Sequence, residues 1–145
     1  ALKFEAGDHS GIVGFDNPER LRKKSREEYT VTLLEILERF SAPLDIDYLS
    51  LDVEGAEEFI MTMFPLEIYR VKLMTIERPK KNLRELLQSK GYFQIQRLSR
   101  WGETLWARRD IIDVLDTSRL DEFNAKRQYL SNKEVSKMKN VETKK

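Results

Sequence analysis

The sequence contains no cysteine and a single histidine, and both shortages narrow its chemistry. Without thiols there is no disulfide framework and no thiolate metal site. With one imidazole, His9, a histidine general base has only one candidate. An excess of charge of one sign is also missing. The 26 Lys and Arg against 25 Asp and Glu leave +1, which gives no general pull toward nucleic acid or a membrane surface. No window approaches the ~20 consecutive apolar residues of a membrane-spanning helix, and the N-terminus lacks a basic-then-apolar signal pattern. A soluble, cytoplasmic chain is the expectation. The G-x-G-x-x-G fingerprint is absent too, because Gly7, Gly11 and Gly14 have the wrong spacing. So are a P-loop, a nucleophile elbow and an H-E-x-x-H zinc motif.

What the 145 residues do contain suits one compact domain with a real core, at 40% hydrophobic and 35% charged. The stretch Asp47-Tyr48-Leu49-Ser50-Leu51-Asp52-Val53-Glu54-Gly55-Ala56-Glu57 organises the rest. Leu49, Leu51 and Val53 alternate with Tyr48, Ser50 and Asp52, which predicts a central strand over 47–53 with one aliphatic side. Ala56, Phe59, Ile60, Met63 and Phe64 then fall at helical spacing and predict a helix of about 56–64, closed by Pro65.

Around this stretch, residues 2–6 suggest a strand, and the glycine-containing run 7–14 with Asn17-Pro18 a loop. The cluster Arg20, Arg22, Lys23, Lys24 and Arg26 reads as an exposed loop or helix face. Thr32 with Glu35 forms a capping box opening a helix whose buried stripe is Leu33, Leu34, Leu37 and Phe40. Val71–Ile76 predicts a strand, stopped by Pro79. Asn82 with Glu85 marks a helix start, and Gly91 sits where a left-handed cap belongs. Tyr92–Leu98 and Thr104–Arg108 predict two strands joined by the loop 99–103, with Trp106 packed inside and Trp101 at the loop tip. Beyond Asp110 the sequence turns polar, so residues 111–145 are expected to form a helical or disordered extension. Strands alternating with helices predict an α/β fold with a parallel sheet and right-handed crossovers, ending in an antiparallel hairpin near the sheet edge.

In open α/β sheets ligands gather at the carboxyl ends of strands. Asp52 ends one predicted strand and Glu77 another, so both carboxylates should reach the same edge. There they could polarise a hydroxyl, bind an amine or, with Glu54, hold a divalent cation. Glu57, in the first helical turn, is equally well explained as a partner of the helix dipole, worth about 0.3–1 kcal/mol. Gly55 at the corner supplies a positive φ or lets a ligand approach the backbone. His9 is a candidate base or a surface residue, and Ser10-Gly11 beside it could offer amides to an anion.

The segment 46–57 resembles the hallmark of FkbM-type methyltransferases. The Ser10-Gly11 loop, Val31-Thr32-Leu33, Ile76-Glu77, Lys90-Gly91-Tyr92 and Leu105-Trp106-Ala107-Arg108 agree in order, so the resemblance covers roughly residues 7–109. It implies a seven-stranded Rossmann-like fold, of which this chain is the C-terminal portion, with residues 1–110 a partial methyltransferase domain. It also implies S-adenosylmethionine as cofactor and methyl transfer, mostly to oxygen, on a small-molecule, glycan or lipid-like acceptor. Carried over by position, Asp52, Glu77 and His9 take catalytic roles. Asp52, Glu54, Gly55, Ser10 and Gly11 lie by the cofactor, Glu57 and Glu77 face the substrate, and no metal is involved. The glycine-rich loop and the strand-ending acid that hold the donor in this family have no counterpart among the 145 residues. A different reading is a non-catalytic, degenerate α/β module docking an acidic partner through its basic loop and tail. A truncated sheet also predicts self-association through an exposed edge.

Overall fold

The computed structural model describes residues 2–5, 11–12, 25–120, 122 and 124. Its main sheet has four strands: β4 (Asp45–Leu51), β5 (Arg70–Ile76), β6 (Tyr92–Arg97) and β7 (Thr104–Arg108). They lie in the order β4-β5-β7-β6. β4 and β5 are parallel, while β7 runs antiparallel to both of its neighbours. The sheet is therefore mixed, and its reversed strand sits one place in from the edge.

The strand expected to be central, 47–53, is in fact an edge strand among the described residues, and it ends at Leu51. Asp52 and Val53 lie beyond it. Alternation of apolar and polar residues is what a strand open on one side needs, and it does not distinguish an edge from a centre. The polar side of β4 is not simply solvated. Tyr48 Oη lies 2.6 Å from Thr75 Oγ1, which in turn donates to Ser50 Oγ at 3.2 Å. Asp45–Arg70 and Asp47–Lys72 ion pairs add cross-strand contacts at the other end of the pair.

Helix α1 (Leu33–Arg39) leads into β4, while α2 (Glu57–Met63) connects β4 to β5 and α3 (Lys81–Ser89) connects β5 to β6. Thr32 opens α1 with the full capping box: its Oγ accepts from Glu35 N–H at 3.1 Å, and Glu35 accepts from Thr32 N–H at 2.7 Å. Yet none of the expected α1 stripe is fully buried, and Phe40 is 76% exposed. The stripe of α2 is also rotated from the expected one. Met61 and Phe64 are buried with Ala56, whereas Phe59 and Met63 face outward. They line an apolar cavity of about 280 Å³ with Val31, Leu33 and Leu34. α3 starts one residue before Asn82, whose side chain donates to Glu58 on α2 instead of capping its own helix. Leu83 and Leu87 are fully buried, and Gly91 takes φ +82 just past the helix end, as a C-terminal cap requires.

The core gathers Leu51, Met61, Phe64, Leu66, Tyr69, Val71, Met74, Ile76, Leu83, Leu87, Tyr92 and Trp106. Trp106 is completely buried and satisfies its polar atom locally. Its indole N–H donates to Thr104 Oγ1 at 2.8 Å, and that hydroxyl donates to the Ile76 carbonyl at 3.0 Å. Trp101 is 68% exposed.

A second sheet pairs β1 (Leu2–Glu5) antiparallel with β2 (Gly11–Ile12) and β3 (Ser25–Glu28), in the order β2-β1-β3. Two departures follow: Gly11 lies in a strand within the run expected to be loop, and Arg26 lies in a strand and not in an exposed loop or helix. The remaining members of the basic cluster, and His9 and Ser10, lie outside the described residues. The chain divides into two compact units, Ala1–Ile112 and Asp113–Lys145. A 3-10 helix covers Arg109–Val114, and residues 118–120 are helical. No helix among the described residues is long and apolar enough to cross a membrane.

Two outcomes are expected. Thr104→Val should cost about 1–3 kcal/mol in urea unfolding, because it strips a buried indole N–H of its acceptor, while Trp106→Ala should cost about 3–5 kcal/mol. Acid should also destabilise the fold. Hydrogen bonds from Thr32, Arg70, Lys90 and Arg108 hold Glu35, Asp45, Glu67 and Asp110, respectively, below the usual carboxylate range. Their contribution is complete above the ordinary carboxylate value of about 4 and is lost as pH falls through the lowered values. Melting temperature should drop through that window, and less steeply for Asp45→Asn.

Candidate functional site

The site begins where β4 and β5 end level with one another. Leu51 and Ile76 are register partners, and Glu77 N–H donates to the Leu51 carbonyl at 3.1 Å. The next residue on each strand is acidic, so parallel pairing alone delivers Asp52 and Glu77 to one rim. After Val53 the chain reverses through Glu54 (φ +55) and Gly55 (φ +99) into α2. A helix leaves its first N–H groups without intrahelical partners, and Ala56 at the N-cap has no side chain to accept from them. Glu57 instead secures the turn that precedes the helix: its Oε1 accepts from Val53 N–H at 3.1 Å and Gly55 N–H at 3.3 Å. The residue is only 4% exposed. Its carboxylate therefore holds the corner in shape.

Asp52, Glu57 and Glu77 each bring an oxygen within 4.8 Å of the others. The cation-site set expected from sequence, with Glu54 as third member, is thus replaced by one containing Glu57. The donor chemistry would admit a hard cation, but two of the three carboxylates already have partners. Glu57 binds the backbone, and Glu77 accepts from Arg78 Nη2 at 2.8 Å. Of these three, Asp52 is the exposed one, and its carboxylate has no hydrogen bond or ion pair to the described residues.

Arg78, which the sequence pattern does not single out, also lies at this rim. Its guanidinium also pairs with Glu54 at 3.3 Å, bridging the ends of both strands. Its backbone takes φ +44, and its N–H donates to the Gly102 carbonyl at 3.1 Å, which brings the β6–β7 hairpin loop to the same rim. A charged residue wedged between a strand end and Pro79 was the available signal. Glu54, Gly55, Arg78 and Gly102 are four of the six positive-φ residues described. Strained backbone concentrates where the surrounding structure over-determines it, commonly at functional rims. Beside them a cleft of about 240 Å³ is lined by Gly55, Glu57, Glu58, Arg78, Lys80 and Leu83 with Pro79.

The structure thus brings together Asp52, Glu54, Gly55, Glu57 and Glu77. Gly11 belongs to the three-stranded sheet, opposite Glu5. No curated protein and no solved structure matches the chain. The model of the methyltransferase FkbM domain matches residues 2–93. That segment is more than half of the chain and carries both strands of the rim, the acidic corner and Arg78. The chain belongs to the FkbM methyltransferase family.

Proposed function

We propose that the rim around Asp52 is the acceptor side of an S-adenosylmethionine-dependent enzyme that methylates oxygen on a small-molecule, glycan or lipid-like acceptor. The observation that carries this reading is the convergence of Asp52, Glu57 and Glu77 within 4.8 Å beside a strained, glycine-containing corner. In this reading residues 1–110 are the methyltransferase part and 111–145 an extension. The four-stranded sheet belongs to the C-terminal portion of a seven-stranded Rossmann-like fold, and among the described residues the outer edge of β4 pairs with no further strand. The same edge would serve self-association.

The residues suit the donor in charge. A rim with several carboxylates and a single guanidinium at its centre favours a positively charged group and accepts hydrogen bonds from hydroxyls. When bound, S-adenosylmethionine supplies an electrophilic methyl group on a sulfonium sulfur. Asp52 takes up the proton of the acceptor hydroxyl as its oxygen becomes nucleophilic. Glu77 lines the other side of the acceptor, its charge shared with Arg78. Glu54 and Gly55 face the donor, and Glu57 positions them by gripping the corner backbone. His9 as base, with Ser10 and Gly11 as amide donors, rests on resemblance alone. Alignment of hydroxyl and methyl accounts for most of the rate gain in such a displacement.

Labelled S-adenosylmethionine should be retained by the chain in equilibrium dialysis, with a Kd of about millimolar order, and be displaced by S-adenosylhomocysteine. Absence of retention by this chain and also by a chain extended at its N-terminus overturns the donor half of the reading. Two substitutions then separate chemistry from architecture. Asp52→Asn should lower methyl transfer by about 10²–10⁴-fold without moving the melting temperature, since its side chain is exposed and unpaired. Glu57→Ala should instead cost about 1–3 kcal/mol of stability, because two corner N–H groups lose their acceptor. The opposite pattern would reverse these two roles.

A further inference from the structure

The hairpin loop between β6 and β7 combines rigidity with an exposed aromatic residue. Leu98 N–H donates to the Glu103 carbonyl at 2.7 Å, and Gly102 N–H to the Ser99 carbonyl at 3.3 Å. Glu103 N–H donates to Ser99 Oγ at 3.1 Å. Arg97 reaches across with Nε to the Ser99 carbonyl at 3.1 Å and with Nη2 to the Arg100 carbonyl at 2.9 Å. Five hydrogen bonds thus hold six residues, and a sixth, from Arg78 N–H to the Gly102 carbonyl, ties the loop to the acidic rim. Contact there is close: a Cβ on Gly102 would come within 2.8 Å of Arg78 Cγ. Gly102, at φ +104, lets the loop sit directly on the arginine.

At the tip of this braced loop Trp101 stands 68% exposed, with the Arg100 guanidinium 4.5 Å from its ring centroid. A short loop has many ways to hide an indole, and leaving it in water forfeits its burial energy. Here the bracing holds it outward, on a loop that Gly102 ties to Arg78, the residue paired with Glu54 and Glu77. An apolar plate, a guanidinium and rim carboxylates complement one class of molecule. A sugar ring offers an apolar C–H face to an indole and a belt of hydroxyls to carboxylates and guanidinium.

We propose that Trp101 is the acceptor-binding plate of this site, on which a pyranose ring stacks with its hydroxyls toward the carboxylate rim. The proposal rests on the reading of that rim as a methyl-acceptor site and narrows the acceptor to a carbohydrate. Trp101 lies beyond the segment matched by the family model, in the part of the site belonging to this chain's own hairpin. Arg78 acts as a positioning residue, transmitting the placement of the rim to the loop through Gly102.

The test is a titration of the isotope-labelled full chain with methyl glucopyranoside and methyl galactopyranoside, without methyl donor, followed by nuclear magnetic resonance. The two indole N–H signals make the experiment self-controlled, because Trp106 is buried and bonded to Thr104. The Trp101 signal should shift saturably with at least one glycoside while the Trp106 signal stays still. Followed at the Gly102 amide, Trp101→Ala should weaken binding by about tenfold, and Trp101→Phe should retain most of it. The proposal is overturned if neither glycoside moves Trp101, if Trp101→Ala binds equally well, or if phenol shifts Trp101 while the glycosides do not. Because no donor is present, sugar binding without donor binding sinks only the transfer reading, and donor binding without sugar binding sinks only this one.

Discussion

The parallel pairing of β4 with β5 is the constraint on which the site depends. Six register partners run from Asp45 and Arg70 to Leu51 and Ile76, and the Glu77 N–H bond to Leu51 extends the pairing past the last pair. A slip of one residue would turn every side chain to the opposite face. It would break the Ser50–Thr75 hydrogen bond and separate the two strand-end acids. The exposed ion pairs Asp45–Arg70 and Asp47–Lys72 contribute little stability each, but they oppose such a slip. Buried Leu51, Met74 and Ile76 supply most of the energy that holds the register, since removing apolar surface from water outweighs surface pairing.

On that foundation the rim is built by balancing repulsion against support. Bringing carboxylates together is unfavourable unless positive partners or N–H groups share the charge. The corner answers with two backbone N–H groups on Glu57 and one guanidinium divided between Glu54 and Glu77. Asp52 is left as the carboxylate exposed to solvent and unengaged. Arg78 gives the arrangement its unity, because its side chain spans two strand ends while its backbone holds the hairpin loop. The left-handed conformations of Glu54 and Arg78 are unfavourable for L-residues, and these contacts offset that cost.

Secondary structure was largely legible because it rests on local chemistry. The capping box at Thr32 is a contact across three residues and formed as its spacing predicts. Gly91 adopted the left-handed cap, since only glycine takes that conformation without steric penalty. Boundaries moved where neighbours in space intervened: Asn82 was drawn to Glu58 on α2, and Lys80 became the cap. The outward turn of Phe59 and Met63 was hidden because Ala56, Met61 and Phe64 satisfy helical periodicity equally well. Several apolar residues on all sides of a short helix leave its rotation undecided until the sheet is in place.

The sequence by itself determined that an acidic, glycine-containing corner follows a strand, that a second strand ends in Glu77, and that the pattern is that of FkbM methyltransferases. Each of these is a property of adjacent residues. Only the tertiary structure decided that β4 lies at the edge of the described sheet, that Glu57 is consumed in holding the corner, and that Arg78 joins the rim to the β6–β7 hairpin loop. The first and last depend on contacts across some twenty or more residues, which periodicity does not encode and chain packing alone selects, and the grip of Glu57 depends on how the intervening backbone turns.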